Sequence, residues 1–305
     1  LNAERTVRAP AKINLHLGVG APREDGYHPL LTVYQAVGLH DDLTARPSDT
    51  WSVEVEVPDW MGGIALPTVE DNIVTRAARL LARHHGLEPT GAVHVVKSIP
   101  VAGGMAGGSA DAAAALVALD RLWGVQTSDD DLLRIAGELG SDVPFALVGG
   151  TALGTGRGEL VAPVADTGTW WWVAVPSLDG LSTPAVYRHF DELHPDAAPE
   201  PPAADDLLAA LAAGDPHALA ATLRNDLQAP AIDLRPELGD LLDRGEAEGA
   251  LRGLISGSGP TCVFLCESAD AARAVAGAFA DDSDRHPVVL VANGAVAGAH
   301  LVTYG

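Results

Sequence analysis

Apolar and polar residues alternate over 7–19, around Lys12-Ile13-Asn14-Leu15-His16-Leu17. That period of two predicts a strand ending at Gly18 and Gly20, followed by a turn over 22–26. Further strand-like runs lie at 33–39, 43–45 and 51–57. The period then becomes helical over 71–83, with Asp71 at the start and arginines toward the end, the polarity that the helix dipole favours. A short strand over 93–98 leads through a glycine-dense stretch into a helix over 109–123, apolar at Ala112, Leu116, Leu119 and Leu122 and stopped by Gly124. Ser128 opens another helix that carries three aspartates in its first turn and runs to Leu139.

The second half begins with a turn-rich ribbon over 152–158 and a strand over 170–175. A Pro/Ala loop over 195–204 has little apolar reason to order. Helices are expected over 205–213, 216–225, 237–248 and 269–280, and a second glycine turn, Ser256-Gly257-Ser258-Gly259-Pro260, runs into the apolar stretch 262–265. No repeat is evident, and the order of elements suggests two α+β halves, 1–165 and 166–305.

Composition narrows the class. At 305 residues and 47% hydrophobic content the chain can bury a sizeable core. It holds no apolar run of the roughly 18 residues that a membrane helix needs and no leader-like N-terminus, so the expected location is the cytoplasm. A formal charge of −22 argues against nucleic acid or an anionic membrane as partner, and no obligatory protein partner is evident. Cys262 and Cys266, the two cysteines, read as small buried apolar residues rather than a disulfide framework. Of 19 basic residues only Lys12 and Lys97 are lysines. A lysine kept in so arginine-biased a chain suggests a task for a compact ammonium.

The stretch Pro100-Val101-Ala102-Gly103-Gly104-Met105-Ala106-Gly107-Gly108-Ser109-Ala110 has the chemistry of an anion cradle. Residues without Cβ let backbone N–H groups approach a phosphate closely, and the unpaired N–H groups of the following helix start point to the same place. Neither the Gly-Lys-Ser/Thr pattern nor the Gly-x-Gly-x-x-Gly pattern is present. Alone, the loop fits either a phosphate site or a turn needed for helix packing.

Three separated motifs coincide: Pro10-Ala11-Lys12-Ile13-Asn14, the glycine loop ahead of its helix, and Ser256-Gly257-Ser258-Gly259-Pro260-Thr261-Cys262-Val263-Phe264. Asp25-Gly26-Tyr27-His28, Asp71-Asn72-Ile73, Gly140-Ser141-Asp142-Val143-Pro144-Phe145 and Thr183-Pro184 fall between them. This ordered series resembles the GHMP kinase superfamily over nearly the whole chain. Within it, the chain looks most like the branch acting on a cytidine diphosphate-linked methylerythritol.

The resemblance implies a two-domain α+β GHMP kinase fold with its active site in the interdomain cleft. It implies ATP as phosphoryl donor, accompanied by Mg²⁺, with the phosphates held by residues 100–110. Asp142 would take the proton from the acceptor alcohol with Lys12 beside it. Asn72 and Ile73 would lie near the adenine and Lys97 near the nucleotide. Tyr27 and Tyr187 would stack on the cytosine, His28 would read its edge, and Asn14 and Thr183 would help to hold the substrate. A homoserine- or mevalonate-type kinase and a catalytically silent metabolite-binding regulator are the alternatives. Asp111 departs from a phosphate cradle, since its charge would repel an anion at the same helix end; it is expected to face outward or to partner Mg²⁺. Ala102 and Ala106 are tolerable in the loop if their φ stays negative.

Overall fold

The computed structural model describes residues 4–63, 65–101, 103–177, 179–280 and 288–302. Ala102 therefore lies outside the described residues. In chain order the strands are β1 (Arg5–Val19), β2 (Leu30–Arg46), β3 (Trp51–Glu56), β4 (Gly91–Val96), β5 (Thr151–Thr155), β6 (Leu160–Pro163), β7 (Trp170–Val175), β8 (Arg224–Asn225), β9 (Arg252–Ile255), β10 (Cys262–Cys266), β11 (Leu290–Gly294) and β12 (His300–Val302). The helices are α1 (Ile73–His85), α2 (Gly107–Trp123), α3 (Asp129–Leu139), α4 (Val143–Val148), α5 (Thr183–Leu193), α6 (Asp205–Ala213), α7 (Pro216–Thr222), α8 (Gln228–Leu234), α9 (Glu237–Ala247) and α10 (Ala269–Ala280). Among the described residues, no helix is long and apolar enough to cross a membrane.

A path of hydrogen-bonded strands, β12-β1-β2-β11-β7-β10-β9, crosses both halves of the chain. Within this path β11 pairs with β2 at Gly294 and Val37. The last described strand, β12, returns to pair antiparallel with β1. Strand β1 is enclosed by β2, β12 and β8, and all its positions from Ala9 to Val19 are buried. The two strands expected at 33–39 and 43–45 form one strand, β2, because pairing with the long β1 carries it through the intervening polar positions. The irregular register between Pro10 and Ala11 keeps the two in step.

Alternation along the central strands feeds two cores. Trp170, Trp172 and Ala174 of β7, with Val263 and Leu265 of β10, join the core beneath α1 and α2. Val173, Val175, Cys262, Phe264 and Cys266 face the core under α5, α9 and α10. Both cysteines are free and buried, and burial pushes their thiols up, Cys262 to about 12 and Cys266 to about 11.

Helix α2 is buried along nearly its whole length, which its Ala-rich sequence permits. It begins two residues before the expected start and ends at Gly124, whose left-handed φ of 68° closes it. The Pro/Ala stretch 195–204 is packed against the end of β1: Ala21 N–H donates to Ala198 O at 2.8 Å, and Pro202 O lies 3.1 Å from His16 Nε2. Tertiary contact with β1, rather than its own apolar content, places this loop. Helices α5 and α8 were not anticipated, and the helix expected over 216–225 stops at Thr222 because Arg224 and Asn225 pair with β1.

Candidate active site

A cleft of about 860 Å³ is lined by residues from both halves of the chain. One wall is the glycine loop with the start of α2: Pro100, Gly103, Gly104, Ala106, Gly107, Gly108 and Ser109. Two contacts clamp this loop to the second glycine turn. Ser256 Oγ donates to Gly104 O at 2.9 Å, and Thr261 N–H to Gly103 O at 3.3 Å. Gly104 has φ +78°, and a Cβ there would overlap Ser256 O, so the close approach requires glycine. Lys12 N–H donates to Met105 O at 3.1 Å and joins the loop to β1.

Ala106, at the cap position of α2, has φ +59° and ψ 35°. The expectation of negative φ fails here, and the strained conformation costs about 1 kcal/mol. The turn it makes aims the free N–H groups at the start of a 17-residue helix into the cleft. Val101, Met105 and Ala110, expected to touch the nucleotide, do not line the cleft; Met105 and Ala110 are core residues.

Opposite stands Asp142, at the cap position of α4, with no hydrogen bond from its side chain to the helix backbone. Its carboxylate is held from elsewhere. Tyr34 Oη donates to Oδ1 at 3.0 Å, and Lys12 Nζ is 3.6 Å from Oδ2. The Tyr34 hydroxyl is kept far above its ordinary pKa by burial and then by the Asp142 charge, so it is a permanent donor. Lys12 Nζ also donates to Asn14 Oδ1 at 2.7 Å and lies 5.7 Å from the centre of the Tyr34 ring. The orientation of Asn14 follows from its neighbours. Thr32 donates to His16 O at 2.7 Å, so its oxygen is left to accept from Asn14 Nδ2 at 2.8 Å, turning Asn14 Oδ1 toward the lysine.

At the other end Tyr27, His28 and Tyr187 line the same cleft. Tyr27 is 53% exposed, whereas Tyr187 sits over His28 with ring centres 5.0 Å apart. Burial, then the Asp142 charge, raises the Tyr187 hydroxyl and keeps it neutral. His28 Nε2 lies 2.8 Å from Asp191 Oδ1. A carboxylate can only accept, so Nε2 carries the proton, and in the neutral ring Nδ1 remains an acceptor. Thr183, the first residue of α5, has its hydroxyl 2.7 Å from Ser258 Oγ.

Three further residues lie elsewhere than expected. Lys97 is behind the loop, not in the cleft: its ammonium donates to Asp41 Oδ2 at 2.5 Å and to Asp111 Oδ2 at 2.6 Å, and is buried. Asp111 does not face outward. It points inward from α2, where its Oδ1 has no hydrogen-bond partner. Burial raises its pKa far above the carboxylate range, and the neighbouring Asp41 adds to this against the opposing pull of Lys97; Asp41 also accepts from Ser98 and Ile99 N–H. Asn72 caps α1 through Oδ1, which accepts from Val74 N–H at 2.9 Å; its neighbour Ile73 lines the cleft.

The sequence reading missed Tyr34, Arg157, Arg188, Asp191 and the turn 257–259 as cleft residues. Only the turn carried a local signal, the glycine-serine repeat. Asn225 holds that turn by donating to Ile255 O at 2.8 Å and Gly257 O at 2.7 Å.

Residues 72–150 match the GHMP kinases N terminal domain, and residues 207–283 the GHMP kinases C terminal domain. The chain is 71% identical over 298 residues to a 4-diphosphocytidyl-2-C-methyl-D-erythritol kinase of Nocardioides sp. (strain ATCC BAA-499 / JS614), covering 98% of this chain and 100% of the relative. A crystal structure of 4-(cytidine 5'-diphospho)-2C-methyl-D-erythritol kinase, 33% identical, superposes with a TM-score of 0.76 over 96% of this chain and 99% of that one. Homoserine kinase from Cytophaga hutchinsonii, at 20% identity and a TM-score of 0.71 over 99% and 98% of the two chains, shares the fold.

Proposed function

The chain belongs to the GHMP kinase family, and on that premise we propose that it transfers the γ-phosphoryl group of ATP to the 2-hydroxyl of 4-diphosphocytidyl-2-C-methyl-D-erythritol, in the non-mevalonate supply of isoprenoid precursors. The observation that carries the reading is Asp142, held by Tyr34 and Lys12 across the cleft from the N-terminus of α2. The N–H groups at that helix start receive the phosphates. Asp142 accepts the proton of the acceptor hydroxyl. In a loose phosphoryl-transfer transition state that proton leaves late, so the placement of the carboxylate matters more than its basicity. Lys12, 3.6 Å from Asp142 Oδ2, helps to orient the carboxylate and offsets charge on the transferring group.

The cytidine end is read by shape and by one polar edge. Tyr27 and Tyr187 offer ring faces for the base. His28, with Nε2–H committed to Asp191, presents Nδ1 to the exocyclic amino group of cytosine. This arrangement favours cytidine over a homoserine or mevalonate acceptor. Mg²⁺ fits as the counter-ion of ATP. Among the described residues no group of three or more His, Cys, Asp or Glu side chains could hold a metal, so phosphate oxygens would supply most ligands, with the Ser109 hydroxyl the protein's hard donor at the loop. The ion would neutralise phosphate charge during transfer.

The test is ADP release with 4-diphosphocytidyl-2-C-methyl-D-erythritol, homoserine and mevalonate in parallel. Turnover is expected with the first alone, and Asp142→Ala should lose kcat by about 10²–10⁴-fold while still binding ATP. Normal ATP binding with no ADP release from any acceptor would overturn the kinase reading. Equal activity of Asp142→Ala and the parent would overturn the assignment of the base.

A further inference from the structure

The β5–β6 hairpin carries two adjacent residues with different neighbours. The guanidinium of Arg157 lies 5.1 Å from the centre of the Tyr27 ring and lines the cleft. Gly158, with φ +102°, packs so closely on Tyr34 that a Cβ would overlap its hydroxyl oxygen, and that hydroxyl holds Asp142. Residues 157–158 therefore join the end of the cleft that offers rings to a base to the end that accepts a proton. On the acceptor reading above, an acceptor whose base and alcohol are separated by a diphosphate would lay the diphosphate along this stretch.

The surrounding anions are already engaged. Asp25 is held by Arg23 at 3.2 and 2.6 Å, Asp191 by His28, and Asp142 by Tyr34 and Lys12. Glu159 Oε2 accepts the Arg157 backbone N–H at 2.6 Å, while Oε1 stands 3.6 Å from Arg157 Nε. That contact steers one edge of the guanidinium, and its two outer nitrogens make no hydrogen bond among the described residues. In a chain of formal charge −22 an anionic acceptor needs a local cation. A planar fork matches phosphate oxygens better than a point charge does.

We infer that Arg157 binds the diphosphate of the acceptor, seated on the Tyr27 ring and steered by Glu159, and thereby selects a nucleoside diphosphate over an uncharged nucleoside. The inference rests on the acceptor reading above. Arg188, which lines the same cleft without a hydrogen bond or ion pair among the described residues, serves as the control for charge alone.

Calorimetric binding of cytidine diphosphate and of cytidine to the parent, Arg157→Gln, Arg157→Lys and Arg188→Gln reads the inference directly. The parent should prefer the diphosphate by at least tenfold. Arg157→Gln should remove most of that preference, and Arg157→Lys should restore part of it. In steady state Arg157→Gln should raise the acceptor KM tenfold or more with a much smaller fall in kcat and no change in the ATP KM. Arg157 lies on a half-exposed hairpin; should the glutamine variant melt early, Arg157→Met keeps the packing on Tyr27 and gives the same reading. A preference unchanged in Arg157→Gln, or lost equally in Arg188→Gln, would overturn the inference. A parent that discriminates the two ligands but transfers no phosphoryl group would overturn the proposed activity and leave Arg157 standing.

Discussion

Tyr34 donates its hydroxyl to Asp142 Oδ1 across 3.0 Å, although 108 positions separate the two in the chain. The bond leaves Oδ2 toward Lys12 and fixes the direction in which the carboxylate can accept a proton. A hydrogen bond to a charged group is worth about 1.5–3 kcal/mol, so Tyr34→Phe should lower kcat by a factor of about ten or more with the ATP KM unchanged. Because burial and Asp142 raise the Tyr34 pKa, the hydroxyl is a neutral donor throughout the usual assay range. The factor should then be constant from pH 6 to about 9; a loss confined to the alkaline limb of the kcat profile would contradict this role.

Gly158 enforces the same geometry from the opposite side. Ala at φ +102° is strained, and its Cβ would displace the Tyr34 hydroxyl. Gly158→Ala should reduce kcat at least as much as Tyr34→Phe and lower stability by about 1–2 kcal/mol. Combining the two substitutions should cost little more in kcat than either alone, because both act on one hydrogen bond. Additive losses in that double-mutant cycle would show independent effects.

Two left-handed residues of the phosphate loop, Ala106 and Gly104, should respond differently to substitution. Gly at position 106 removes the strain at φ +59° but adds freedom to the unfolded chain, for a net gain of up to about 0.5 kcal/mol. Ala106→Gly should therefore melt at or slightly above the parent temperature. Gly104→Ala pushes the loop off Ser256 O, and the ATP KM should rise severalfold as the cradle loosens. Identical ATP KM values for Gly104→Ala and the parent would mean that this clamp does not shape the nucleotide site.

Beneath the loop, Lys97 is shared between Asp41 and Asp111. Lys97→Met leaves the buried Asp41–Asp111 pair without its cation and should destabilise the fold by about 3–5 kcal/mol. Asp111→Asn should be neutral or stabilising near neutral pH, since one oxygen of Asp111 is unpartnered. Asp111 binds its proton more tightly folded than unfolded. The stability tied to that proton is fully present below the ordinary carboxylate range, near pH 4, and is lost as pH rises through the raised value. The melting-temperature difference between Asp111→Asn and the parent should thus grow with pH; a difference that shrinks would place Asp111 ionised in the fold.

Local pattern determined a good deal by itself. The strand Trp170–Val175 and the helix Ala269–Ala280 lie where their periodicity puts them. The glycine stretch forms a helix start facing a cleft, and the motifs that carry Lys12 and Asp142 marked both as cleft residues. Such features follow from neighbours in sequence: alternation, the missing Cβ, a cap, or a motif met in related chains.

The tertiary structure alone decided which distant residues touch. Nothing near Lys97 in sequence announces Asp41, and only the packing of α2 against its neighbours traps Asp111 inward. The left-handed Ala106 reflects the loop's anchorage to β1 and to the 256–261 turn, which overrides the preference of a single alanine. Tyr34, Gly158 and Arg157 carry no local motif. They acquire their places because β2 pairs with both β1 and β5, and a pairing across a hundred positions is settled by the register of whole strands and the burial it permits.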